Sequence, residues 1–306
     1  MYAHITRIAR GPHAAFRAPR WFAGLLVLLG ILFLAATAQA KDRFCLSDGQ
    51  PVFYQDLGAG ENAIVFIHGW SCDHTIWDQQ TADLSRTWRT LALDMPGHGR
   101  SSAIEREYDL DMLARAVDAV VRHSGARRVV LAGHSMGLMV AYRYGLEHPE
   151  KVAGLVNVDG AFIRMPEDRE PVAGFLAILD DPAKTRDWRA FCAHFLQGMY
   201  APGTPEALKE RVLWMVWGTS PQVSQSALRH FLLEGELSTP LAAPSLAVIA
   251  TMSEARPDTE AYLRRFFPAL TYVRWDGVGH FLMLDRPGEF TRAVAGFCRS
   301  VNLSGS

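Results

Sequence analysis

The sequence predicts an α/β fold: a mostly parallel sheet with helices on both faces and a helical cap inserted after the sixth strand. Three observations predict it. Short continuous apolar runs alternate with amphipathic stretches, the pattern of strands buried on both faces and separated by helices. One long segment, residues 161–243, breaks that rhythm with helix-like pieces and no clear buried strand. Finally, Gly133-His134-Ser135-Met136-Gly137 stands between the apolar run Val129–Ala132 and the helix-like stretch Leu138–Tyr144.

Ala63–Ile67 reads as a buried strand that ends at His68-Gly69. Arg89–Leu93 is a second, ending at Asp94-Met95-Pro96-Gly97-His98-Gly99. Asp109 is placed to cap a helix carrying Leu113, Val117, Val120 and Val121 at helical spacing. Val129–Ala132 and Gly154–Val158 are further strands, the latter followed by Asp159. The interrupting segment holds large apolar residues, Phe175, Trp188, Phe195, Trp214 and Trp217 among them, punctuated by Pro166, Pro171, Pro182, Pro202, Pro205 and Pro221. Most of these aromatics are expected to form the cap's own core, and a few to line an apolar pocket. Leu246–Ala250 and Thr271–Trp275 complete the strand set. In such sheets the site lies at the carboxyl ends of the strands, where every motif named here falls.

The first 40 residues form a targeting segment. Arg7, Arg10, Arg17 and Arg20 precede the apolar run Trp21–Ala38, and no acid occurs before Asp42. Ala38-Gln39-Ala40 is an A-x-A cleavage site, so a signal peptide removed after Ala40 is expected. The alternative is a retained signal anchor, and only then would the protein contact a membrane through residues 21–40. Either way the rest of the chain is expected outside the cytoplasm, in the periplasm or secreted. The remaining boundaries are a core at 41–160, the cap at 161–243 and the rest of the core at 244–306.

The 306 residues carry a net charge of −1, with 49% hydrophobic and 21% charged. That suits one globular domain and gives no basic face for nucleic acid. Cys45, Cys72, Cys192 and Cys298 could form disulfides in an exported chain or remain buried thiols. Their spacing matches no zinc pattern.

Strand, G-x-S-x-G and helix in succession is the context of a nucleophile elbow. The turn is so sharp that only small residues fit two positions either side of Ser135. With His68-Gly69-Trp70, Asp94–Ser101 and Gly277-Val278-Gly279-His280-Phe281 in this order, the chain resembles the α/β-hydrolase superfamily, in its capped serine esterase and lipase-like branch. The resemblance covers residue 45 to the C-terminus and implies an eight-stranded sheet. It also implies Ser135 as nucleophile, His280 as general base, and an oxyanion hole of the Trp70 and Met136 N–H groups. The acid is left open between Glu254, near the end of the seventh strand, and Asp159, after the sixth, with Asp258 behind both. His68, Asp94 and His98 are expected to brace loops, and Cys72 to be structural. Leu138 stands where many relatives carry a second glycine. No cofactor or metal is implied.

The expected activity is hydrolysis of a carboxylic ester or related acyl bond on a small hydrophobic acyl substrate, through an acyl-enzyme. A perhydrolase, lactonase or C–C hydrolase on the same triad, or a catalytically silent binding protein, are the alternatives. Ser135 argues against the dehalogenases and epoxide hydrolases of this fold, which carry aspartate at the elbow.

Overall fold

The computed structural model describes residues 41–253 and 256–303. Residues 1–40, read from the sequence as a targeting segment, and Glu254 therefore lie outside the described residues. Eight strands form one sheet in the order β1-β2-β4-β3-β5-β6-β7-β8. These are β1 (Lys41–Ser47), β2 (Gln50–Leu57), β3 (Ala63–Ile67), β4 (Arg89–Leu93), β5 (Val129–His134), β6 (Val152–Val158), β7 (Ser245–Ala250) and β8 (Leu270–Trp275). From β4 to β8 every neighbour is parallel, whereas β1–β2 and β2–β4 are antiparallel.

β3, β5, β6 and β7 are buried along their whole length. They need helices on both faces, which is why their sequences are apolar without alternation. The helices are α1 (Asp78–Leu84), α2 (Leu110–Ser124), α3 (Gly137–Glu147), α9 (Thr259–Phe266), α10 (Leu282–Asp285) and α11 (Pro287–Ser300), with five more between β6 and β7. The Asp109 cap is present: its carboxylate accepts the Met112 N–H at 2.6 Å, and left-handed Gly125 ends α2.

The segment after β6 holds α4 (Arg169–Leu179), α5 (Pro182–Thr185), α6 (Trp188–Gln197), α7 (Glu206–Gly218) and α8 (Pro221–Glu234). Its only strand-like feature is a single bridge between Ile163 and Glu236. Its inner faces pack on the core through Val172, Trp188, Cys192, Leu196, Val212, Val216, Ala227 and Phe231.

Two readings of the sequence are amended. The β1–β2 ribbon has no counterpart among the strands read from apolar runs, because β1 is largely exposed and alternates, with Phe44 and Leu46 turned to solvent. All four cysteines are unpaired, buried thiols, so the disulfide alternative falls. They sit on separate pieces of the core: β1, the loop after β3, α6 and α11.

Candidate active site

Ser135 occupies the turn between β5 and α3 with φ of 52°, a left-handed conformation that L side chains adopt only under constraint. The constraint is visible. The Ser135 N–H donates to the Val158 carbonyl at 3.1 Å, and its own carbonyl accepts from Leu138 and Ala161. The flanking glycines are obligatory for close approach. A Cβ on Gly133 would stand 2.4 Å from the Gly137 carbonyl oxygen, and one on Gly137 would stand 2.6 Å from the carbonyls of Ile67 and His68. Leu138 has its own consequence: its side chain fills the place a Cβ on Gly160 would take, at 2.3 Å.

His280 lies in the loop after β8. Its Nδ1 is hydrogen-bonded to Asp159 Oδ2 at 2.6 Å. Asp159 Oδ1 accepts the Ala250 N–H at 2.8 Å, so both carboxylate oxygens have partners. The Asp159 side chain is almost wholly buried, and its backbone too is left-handed, with φ of 45°. Asp258 is elsewhere: it is exposed and forms a two-pronged ion pair with Arg164 at 2.7 and 2.9 Å. It is therefore removed from the acid candidates.

A cavity of about 220 Å³ opens over Ser135 and His280, lined by apolar residues including Trp70, Met136, Phe195, Leu228, Phe231 and Phe281. Neither the Trp70 nor the Met136 N–H donates to a protein acceptor among the described residues. Met136 opens α3, so the positive end of that helix lies beside Ser135. Two free N–H groups and a helix N-terminus at a serine suit the stabilisation of developing negative charge on a substrate oxygen.

The bracing residues do what their positions suggest. His68 Nδ1 donates to the Gly69 carbonyl, and Nε2 accepts the Met95 N–H. Full burial pushes the His68 pKa down to about 3, so the ring stays neutral. Asp94 accepts from the N–H groups of His74 and Arg100 and bonds His74 Nδ1. Burial opposes charge on both members of this pair, but the bond prevails and lowers the Asp94 pKa while raising that of His74. Asp73, His74 and Asp94 bring ligand-type atoms within 4.8 Å of one another. Each is already committed within the protein, Asp73 to the Thr75 N–H and hydroxyl. Cys72 lines the cavity, but burial raises its pKa far above the usual thiol range, which removes thiolate character.

Several partners of the site had no signal in the sequence, because they are set by long-range packing. His134 Nε2 donates to the His280 carbonyl at 3.0 Å, and the two rings lie 4.7 Å apart. Burial and the neighbouring His280 hold the His134 pKa well below the ordinary value, so no second charge sits beside His280. Trp70 Nε1 donates to the Ser224 carbonyl at 2.7 Å and Ser71 Oγ to Ser224 Oγ at 2.8 Å, bolting the loop after β3 to α8. The His280 N–H donates to the Met199 carbonyl at 2.7 Å. The insertion thus grips both loops that converge on Ser135.

A family model described as alpha/beta hydrolase fold matches residues 62–201. A non-heme haloperoxidase of Rhodococcus erythropolis is 43% identical over 103 residues, a match spanning 33% of this chain and 37% of that protein. A pimeloyl-[acyl-carrier protein] methyl ester esterase of Aeromonas hydrophila is 26% identical over 261 residues, spanning 80% of this chain and 98% of that protein. The solved structure of an esterase from Rhodococcus sp. ECU1013 superposes with a TM-score of 0.67 at 26% identity, covering 85% of this chain and 99% of that one. The chain has the α/β-hydrolase fold; the structural likeness covers 85% of it, and the family model spans a little under half of it.

Proposed function

We propose that this protein is an exported serine hydrolase that cleaves a carboxylic ester, or a related acyl bond, of a small hydrophobic acyl substrate. The observation that carries the reading is the 2.6 Å bond between Asp159 and His280 Nδ1, at an apolar cavity that His280 shares with Ser135. Because Asp159 occupies Nδ1, the acid role goes to it rather than to Glu254. Asp159 fixes the tautomer whose free Nε2 can accept a proton, and it stabilises the imidazolium once formed. His280 Nε2 takes the proton of Ser135 Oγ as that oxygen attacks the acyl carbon. The Trp70 and Met136 N–H groups hold the oxyanion, and the alcohol leaves with the proton from His280. Water, activated by the same histidine, then releases the acid and restores Ser135.

The pimeloyl ester esterase and the Rhodococcus esterase support an ester-acting reading. Export is supported by the arginine-rich start, the apolar run and the Ala38-Gln39-Ala40 site. The helical insertion serves as the cap, since α6 and α8 wall the cavity with Phe195, Leu196, Leu228 and Phe231. A panel of p-nitrophenyl esters from acetyl to long acyl tests this. Turnover is expected on short and medium chains and to fall on long ones that exceed the cavity. No hydrolysis of any ester would overturn the ester reading.

A further inference from the structure

One face of the insertion is unusually apolar for a surface. Trp214 on α7 leaves 66% of its surface exposed. Trp217, one turn on, meets it edge-to-face at 5.3 Å. The Arg189 guanidinium lies over the Trp217 ring at 5.4 Å, and Trp217 Nε1 donates to the Arg189 carbonyl at 3.2 Å. The two tryptophans are therefore continuous with the start of α6. There Lys184, Arg186 and Arg189, all exposed, rim one surface hollow whose floor includes Trp188 and Phe191. Neither Arg186 nor Arg189 has a carboxylate partner among the described residues. Of the nearby acids, Asp181 stands 4.0 Å from Lys184, Asp187 lines the same hollow and Glu210 is exposed one turn before Trp214; residues 181–191 keep one net positive charge. Asp187 caps α6 through the Ala190 N–H, Asp181 caps α5 through the Ala183 N–H, and Asp180 bonds Arg229.

We infer that this face docks on an anionic lipid surface. Exposed indoles favour the boundary between headgroups and acyl chains, where the ring is shielded and its edge stays wet. Arginine and lysine lay their apolar stems along that boundary while their charged ends reach lipid phosphates. An anionic leaflet answers both needs of the patch at once: an apolar layer for Trp214 and Trp217, and negative charge for Arg186 and Arg189. The patch also leads inward. Trp188 stacks on Phe191 at 4.8 Å, Phe191 on Phe195 at 6.1 Å, and Phe195 meets Trp70 edge-on at 5.4 Å. Phe195 and Trp70 line the cavity over Ser135. A row of aromatic rings thus joins the docking face to the reaction pocket. The contact is separate from residues 1–40 and does not depend on the reaction assigned to Ser135.

Hydrogen exchange of the full chain, with and without vesicles, locates the contact whatever else holds the protein to lipid. Vesicles of phosphatidylcholine mixed with phosphatidylglycerol are expected to slow exchange in residues 184–191 and 210–218. Pure phosphatidylcholine should have little effect there. A basic residue near an anionic leaflet is worth about a fivefold change in binding. The Arg186→Ala, Arg189→Ala double variant should therefore need roughly 25-fold more anionic lipid for the same local protection. Trp214→Ala should lose that protection while keeping wild-type turnover of a soluble ester. Protection confined to other segments would overturn the proposal. Equal protection by both vesicle types would do so too, as would protection that follows protein concentration without lipid, the mark of self-association.

Discussion

Ser135→Ala is expected to lower turnover of an activated ester by about 10⁶-fold while leaving the fold intact. The expectation rests on the position of Ser135, not on its residue type alone. Its strained backbone and the two obligatory glycines hold Oγ at the head of α3, in the cavity shared with His280. Alanine removes one oxygen and demands no new space, so the melting temperature should stay near that of the wild type. Steady-state kinetics on a p-nitrophenyl ester, beside a thermal unfolding curve, measure both. An unfolded variant would be uninformative about chemistry, which is why the unfolding curve accompanies the rate. Wild-type turnover in a folded variant would remove Ser135 from the mechanism.

The second large effect is expected at Asp159. Asp159→Asn keeps the shape but replaces a carboxylate by an amide, which cannot both hold Nδ1–H of His280 and balance an imidazolium. The serine–histidine–aspartate systems that share this geometry lose about 10⁴ in kcat on such a change. Glu254→Gln, tested beside it, should leave kcat close to the wild type. A greater loss at Glu254 than at Asp159 would transfer the acid role. Asp159→Asn also threatens the bond to the Ala250 N–H, so unfolding curves of both variants belong to the comparison.

The contrast between these two residues shows what sequence can and cannot supply. β3 to β7 were legible because strands buried along most of their length read as apolar runs, β8 was read from Thr271–Trp275 although it is a largely part-exposed edge strand, and the G-x-S-x-G turn announces itself between a strand and a helix. The placement of Ser135, His280, Trp70 and Met136 around one cavity follows from motifs at the ends of those strands. The carboxylate that meets His280 was not legible in the same way. Asp159 and His280 are 121 residues apart, and their meeting depends on β6, β7 and β8 lying side by side in the sheet. Position along the chain favoured the end of β7; sheet order favours the end of β6. The same holds for Ser224 and Met199, whose backbone carbonyls fasten the Trp70 and His280 loops. A carbonyl has no residue type to recognise, so no motif could have pointed to them. The β1–β2 ribbon was missed for another reason: an edge ribbon with one exposed face lacks the apolar continuity that marked the rest.

The central claim is that acyl transfer passes through Ser135 Oγ. A fluorophosphonate tests it most directly, because an activated serine displaces fluoride and keeps the phosphonyl group as a stable adduct. Peptide mass spectrometry of the treated wild type should place that added mass on Ser135, and the Ser135→Ala variant should take up none. A label on Ser101 or any other residue, or equal labelling of the alanine variant, would contradict the account.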